Sequence, residues 1–203
     1  MRIISGQYKG RKLAAVGKGD AQAHLCPTTD RVREALFNIL MNGGFGDVFD
    51  GGRALDLFAG TGALGIEAFS RGLETVWMID SGHKASELIN KNIDLLGSPE
   101  GMVFKKFNAC KLPPLSEKPF NIVFLDPPYG QNLGRYALES AMQKGWIAPQ
   151  ALIVWEESAP MDPVLNFELL DSRQFGDTFI TIMRAPQTVR TLTLDRFTKA
   201  NCT

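Results

Sequence analysis

Two short segments carry side chains that could do chemistry together. The first is Asp126-Pro127-Pro128-Tyr129, which follows directly on an apolar run at residues 121–125. Two prolines stiffen the backbone and remove two N–H donors. What is left is a set of acceptors, the Asp126 carboxylate and exposed carbonyls such as that of Pro127, beside the aromatic face of Tyr129. A planar amine, such as the exocyclic amino group of a nucleobase, suits that set. A carboxylate and a carbonyl hold its two hydrogens while its ring stacks on the tyrosine. Holding the hydrogens aims the nitrogen lone pair at an electrophilic methyl group, so the catalysis is orientation and electrostatics. A plain proline turn would use the same residues; a glycine loop earlier in the chain argues for a site.

That loop is the second segment. Asp56-Leu57-Phe58-Ala59-Gly60-Thr61-Gly62-Ala63-Leu64-Gly65 contains G-x-G-x-x-G between a short apolar strand and a helix. Glycine lets the backbone turn sharply and approach a ligand closely, and the helix start behind it offers unpaired N–H groups. Alone, the loop also fits a tight strand–helix turn or a dinucleotide-binding oxidoreductase. Two carboxylates refine it. Asp80, at the tip of the next strand, is placed for ribose hydroxyls and suits any adenosine cofactor. Asp56, beneath the loop, would repel a pyrophosphate but could hold a cationic ammonium. S-adenosyl-L-methionine carries such an ammonium and is favoured over NAD.

These segments need a frame, and hydropathy supplies one. Residues 54–58, 75–79, 102–107, 121–125 and 151–155 read as strands; residues 64–70, 83–96 and 134–144 read as helices. Strands alternating with helices imply a parallel sheet covered on both faces. The end differs: residues 167–170 and 178–183 are β-rich, with no room for a helix between them, so an antiparallel hairpin should close the sheet. Ahead of this frame, residues 2–14 read as two short strands around a glycine-bounded turn, and residues 15–27 as a flexible loop. A helix should follow Pro27, capped by Thr28, Thr29 or Asp30, with Val32, Leu36, Ile39 and Leu40 on one face. The expected organisation is an N-terminal hairpin and helix at 1–41, a catalytic domain at 42–185 and a polar tail at 186–203.

Composition sets limits. A chain of 203 residues, 44% hydrophobic and 22% charged, has the length and make-up of one globular domain. No apolar stretch is long enough to span a bilayer, and the start of the chain has no secretory h-region. Three scattered cysteines, Cys26, Cys110 and Cys202, indicate neither a disulfide framework nor a zinc site, so a reduced, cytoplasmic setting is expected. His24 and Cys26 have no further ligands near them in sequence, and no metal is expected. Net charge is zero, yet residues 1–40 hold seven basic against three acidic side chains while residues 41–182 hold eleven against eighteen. A basic N-terminal segment on an acidic body would meet a polyanion locally. No extra apolar segment asks for a partner, so a monomer is expected. Trp77 and Trp155 lie in strand patterns and should be core. His83 starts a helix and would either touch a cofactor or simply fill the first turn. Glu156, at a strand end, could support the substrate pocket or form a plain salt bridge.

Asp-x-Phe-x-Gly-x-Gly followed by Asp-Pro-Pro-Tyr resembles the amino-group class of S-adenosylmethionine-dependent methyltransferases. Residues 1–6, 10–13 and 27–38, with Val154-Trp155-Glu156 and the closing hairpin, resemble the bacterial RsmD family, whose members methylate the N2 amine of a guanine in 16S ribosomal RNA. The resemblance implies a Rossmann-like class I α/β fold: a seven-stranded, mostly parallel sheet with an antiparallel last strand. It places the cofactor on Asp56, Phe58, Ala59, Gly60, Thr61, Gly62, Asp80, Asn108, Ala109 and Asp126. It assigns the guanine amine to Asp126, Pro127, Pro128 and Tyr129, and RNA phosphates to Arg2, Lys9, Arg11, Lys12, Arg31 and Arg33. The implied partner is 16S rRNA in the small ribosomal subunit or an assembly intermediate. An N6-adenine DNA methyltransferase or a protein amide methyltransferase would use the same tetrapeptide; the chain has no room for a separate DNA-recognition domain. A catalytically idle binding protein is disfavoured by the intact tetrapeptide. Three positions depart from the family: Asn108 replaces the usual Asp, Asp80 a frequent Glu, and Cys26 a common arginine.

Overall fold

A computed structural model describes residues 1–15, 29–47, 49–164 and 166–187. Its centre is a seven-stranded sheet in the order β3-β2-β1-β4-β5-β7-β6. The strands are β1 (Arg53–Leu57), β2 (Thr75–Ile79), β3 (Met102–Lys105), β4 (Phe120–Leu125), β5 (Ile147–Glu157), β6 (Glu168–Phe175) and β7 (Thr178–Arg184). Neighbours from β3 to β5 pair in parallel; β7 alone runs against both of its neighbours.

Alternation along each strand divides the core in two. Ala54, Ile122 and Phe124 face one side with α1 (Asp30–Asn42), α2 (Ala63–Ser70) and α3 (His83–Leu95). Leu55, Leu57, Val123 and Leu125 face the other, where they meet α4 (Leu133–Gln143), Trp77, Trp146 and Trp155. Both faces are covered, which is why the central strands read as continuous apolar runs. Trp77 and Trp155 are core residues, as expected.

β5 and β6 extend beyond their apolar cores, while β3 stops at Lys105, short of the expected 107. β6 continues through Asp171, Ser172, Arg173 and Gln174, which carry no apolar alternation; pairing with β7 holds them extended. α1 is capped by Thr29, whose hydroxyl accepts the Val32 N–H. Of the expected loop at 15–27, residues 16–27 lie outside the described set, as do 188–203 of the expected tail.

The N-terminal segment corrects the two-strand reading. It bends back as a hairpin would, but only Arg2 and Lys12 form a β-bridge. The reason is competition for its N–H groups. Ile4 and Ser5 donate to the two oxygens of Glu67, Gln7 to the Ser70 carbonyl and Tyr8 to the Ser70 hydroxyl, all on α2. Gly6, at φ +83°, sits so close that a Cβ there would fall 1.7 Å from the Ser70 carbonyl oxygen.

Arg33 is corrected as well. It was expected to face RNA, but it is 0% exposed. Its guanidinium donates to the Arg2 carbonyl and to Asp30, and lies 3.9 Å from the equally buried Glu67. Arg71 completes the cluster at 2.7 Å from Glu67. A buried charge needs this pairing, because desolvation without a partner is severe. Glu67→Ala should therefore destabilise the fold by about 3–5 kcal/mol, since it leaves Arg33 and Arg71 without their shared carboxylate. Urea unfolding of the variant checks this; a loss below about 1 kcal/mol, the range of exposed pairs, would refute it.

Candidate active site

Register decides what stands next to what at the end of the sheet. Leu57 pairs with Ile79 on one side and Leu125 on the other, and Leu125 pairs with Trp155. The next residues are therefore Asp80, Phe58 and Asp126, which leave the sheet side by side, and Glu156, which stands beside Asp126 while still paired with β7. Strand order also reverses between β1 and β4, with β2 and β3 running out one way and β5 the other. In open α/β sheets ligands bind in the crevice at such a switch point, outside the carboxyl ends of the strands.

The glycine loop on β1 is tied down on several sides. Ala59 N–H donates to the Ile79 carbonyl, Gly62 N–H to the Ala59 carbonyl, and Gly60 N–H to Asp80 Oδ2 at 2.9 Å. The Thr61 carbonyl accepts the Asn92 amide at 2.9 Å. Phe58 sits at φ +63°, a conformation that costs energy in a non-glycine residue and is held here by its surroundings. Gly62, at φ +78°, packs so tightly that a Cβ would lie 2.8 Å from Met78 Sδ.

Asp80 crowns β2, half-buried, with Oδ1 accepting the Gly82 N–H at 2.7 Å. Each of its oxygens accepts one backbone N–H and keeps a second lone pair, so Asp80 can both fix the loop and accept a hydroxyl. Asn108, exposed after β3, caps a short helical turn by accepting the Cys110 N–H; buried Ala109 follows. These features suit an adenosine-type cofactor: a close-approach glycine backbone, a carboxylate at the second strand tip and an amide near the third.

Asp56 is placed differently from the expectation. It does lie beneath the loop, but it is only 1% exposed, and its Oδ2 accepts the Gly65 N–H at the start of α2. The structure thus shows a carboxylate that ties β1 to α2, and direct contact with a cofactor ammonium is not part of this geometry. Burial pushes its pKa up to about 7; the Gly65 bond opposes this and the Asp80 charge adds to it.

Asp126 is half-buried at the end of β4; Pro127 is buried, while Pro128 and Tyr129 reach the surface. The Tyr129 hydroxyl donates to Glu156 Oε1 at 3.2 Å and lies 3.3 Å from Thr178 Oγ1. Burial raises the phenol above its ordinary range; Thr178 opposes this, and the Glu156 and Asp126 charges add to it. Tyr129 therefore stays protonated as a donor, 42% exposed as a residue and anchored at its tip. Glu156, buried on β5, is thus tied to Tyr129. His83 fills the first turn of α3, exposed, 3.3 Å from Glu87.

Of the basic residues, Arg2, Lys9, Arg11, Lys12 and Arg31 are exposed. Arg11 lies over the Tyr8 ring and donates to the Leu95 carbonyl at the end of α3. Asn92 and Glu67 escaped the sequence reading. Glu67 did leave a signal, a lone charge in the apolar helix sequence ALGIEAFS; Asn92 sits in a helix rich in polar residues and left none. Among the described residues no group of three or more His, Cys, Asp or Glu side chains could hold a metal ion. No described helix is long and apolar enough to cross a membrane.

The raised Asp56 pKa predicts a pH dependence. The folded state binds this proton more tightly than the unfolded chain, whose value is 3.8. The stabilisation is complete below about pH 4 and is lost as pH rises through about 7. Asp56→Asn should remove this term. The melting temperature of the wild type relative to the variant should fall between those limits and level off above them; a flat difference would refute the assignment.

The family model described as Conserved hypothetical protein 95 matches residues 1–184. The chain is 38% identical over 156 residues to Ribosomal RNA small subunit methyltransferase D of Escherichia coli K12, covering 77% of this chain and 74% of that one. The solved structure of Escherichia coli yhhF, at 33% identity and a TM-score of 0.75, covers 93% of this chain and 99% of its own. An RNA methyltransferase from Salinibacter ruber, in complex with S-adenosyl-L-homocysteine, shares the fold at 12% identity and a TM-score of 0.61, over 80% and 95% of the two chains. With the class I methyltransferase sheet and its aligned strand ends, these likenesses establish that the chain belongs to the RsmD family of rRNA methyltransferases.

Proposed function

We propose that this chain transfers a methyl group from S-adenosyl-L-methionine to the exocyclic N2 amine of a guanine in 16S ribosomal RNA. The observation that carries the reading is the β1–β4 register, which sets Asp126 beside the glycine loop. Family membership supports rRNA as the substrate class, since the Escherichia coli relative is a ribosomal RNA small subunit methyltransferase.

The loop from Phe58 to Gly62, with Asp80, Asn108 and Ala109, would hold the cofactor, which when bound supplies an electrophilic methyl group on a sulfonium. Asp126 and the Pro127 carbonyl hold the two amine hydrogens and turn the nitrogen lone pair toward that methyl. Pro128 keeps the turn rigid, and Tyr129 offers its ring to the base while Glu156 fixes the hydroxyl. As the nitrogen–carbon bond forms, Asp126 is placed to accept the proton that the nitrogen sheds. The guanine must be unpaired or flipped out to reach this position. Exposed Arg2, Lys9, Arg11, Lys12 and Arg31 would meet phosphates, in the small subunit or an assembly intermediate in the cytoplasm.

The test is incubation with methyl-labelled cofactor and small ribosomal subunits lacking their native N2 methylations, with duplex DNA and cell protein in parallel. Label recovered as N2-methylguanosine from 16S RNA is the expected result. Label in DNA or protein would keep the amine chemistry and discard the substrate; no label in any of them would overturn the reading. Asp126→Ala should lower kcat by about 10²–10³-fold, the scale of losing one preorganised hydrogen-bonding group. S-adenosylhomocysteine affinity should stay within a few-fold of wild type, and robust turnover by this variant would remove Asp126 from the mechanism.

A further inference from the structure

Asn92 is fully buried in α3 and makes three hydrogen bonds. Its Oδ1 accepts the Ala14 N–H at 2.7 Å, and its Nδ2 donates to the Ala14 carbonyl at 3.2 Å and to the Thr61 carbonyl at 2.9 Å. A primary amide can pair with both backbone groups of one residue and still donate once more. Its two partners belong to different parts of the molecule. Ala14 lies in the N-terminal segment that carries Arg2, Lys9, Arg11 and Lys12; Thr61 lies in the middle of the glycine loop.

Two further contacts hold the segment, one to the loop and one to α3. The Thr61 hydroxyl reaches Met1 Sδ at 3.7 Å, and Arg11 donates to the Leu95 carbonyl one helical turn beyond Asn92. α3 itself begins directly after Asp80 and Gly82, at the other edge of the loop.

We propose that Asn92 is a positioning residue that couples the N-terminal segment to the cofactor loop, so that RNA contact on the segment and cofactor binding in the loop strengthen each other. This rests on the reading of those two surfaces given above. If the segment moves, Ala14 leaves the amide, and the amide is no longer held against Thr61. The buried loop carbonyl then loses its donor, and the loop loses a constraint on its binding shape. By linkage, whatever factor RNA adds to cofactor affinity, the cofactor adds to RNA affinity.

The test measures S-adenosylhomocysteine affinity by calorimetry on the full chain. The set is wild type, Asn92→Ala, Gly6→Ala and the double variant, with thermal melting to verify folding. Gly6→Ala unseats the segment at its contact with Ser70, away from the loop. Each single change should weaken binding about tenfold, and the double variant should bind no worse than the weaker single, since both break one connection. Deproteinised 16S rRNA should tighten binding to wild type and not to Asn92→Ala.

Additive losses, or folded single variants that bind as tightly as wild type, would overturn the coupling, because a purely structural Asn92 would lower the melting temperature without this non-additivity. If the variants do not fold, hydrogen exchange on the wild type decides. Protection of residues 58–62 should rise when 16S rRNA is added, and unchanged protection would overturn the proposal. A wild-type chain that binds no S-adenosylhomocysteine would instead overturn the cofactor reading on which the coupling rests.

Discussion

Parallel hydrogen bonding between β1 and its neighbours β2 and β4 fixes which residues leave the sheet side by side. A slip of one residue would turn each strand's side chains to the opposite face and separate Asp80, Phe58, Asp126 and Glu156. The register is held because both faces are buried. Leu55 and Leu57 pack against α4 and the tryptophans, while Ala54, Ile122 and Phe124 pack against the three other helices. The core that stabilises the sheet is thus also what aligns Asp80, Phe58, Asp126 and Glu156.

On this frame the polar groups divide into those that build the site and those that face it. Asp56 and Asp80 both accept backbone N–H groups, so the loop's shape is set before any ligand arrives. Such preorganisation is where methyl transfer gains, because the chemistry asks for little besides alignment. The closing hairpin contributes too: Thr178, at the start of β7, and Glu156, on β5, hold the tip of Tyr129. An element that completes the sheet therefore also steadies the aromatic ring over which a base would stack.

The N-terminal segment shows how a surface module is attached without a core of its own. Glu67 and Ser70 on α2 take its backbone N–H groups, Asn92 takes both backbone groups of Ala14, and buried Arg33 takes the Arg2 carbonyl. This leaves Arg2, Lys9, Lys12 and Arg31 on the outside. The charge asymmetry of the sequence pointed to that surface, but charge alone could not separate Arg31 from Arg33. They lie two residues apart on one helix, and only packing of α1 against α2 turns the second inward.

The sequence by itself determined the alternation of strands and helices, the antiparallel closing hairpin, the glycine loop and the Asp-Pro-Pro-Tyr segment. All of these are local, resting on hydropathic period, turn chemistry and residue type. It also carried the resemblance that proved to be the family. The tertiary structure decided what is not local. Two motifs 60 residues apart meet because β4 lies next to β1 and not beyond β3. Asp56 serves the helix start because its carboxylate is buried with the Gly65 N–H within reach. The expected β-hairpin at the N-terminus keeps a single bridge because α2 outcompetes it for hydrogen bonds. Asn92 joins two surfaces that no spacing in the chain connects. Pattern reveals what each segment prefers, but partners for buried polar groups are assigned only when the segments pack.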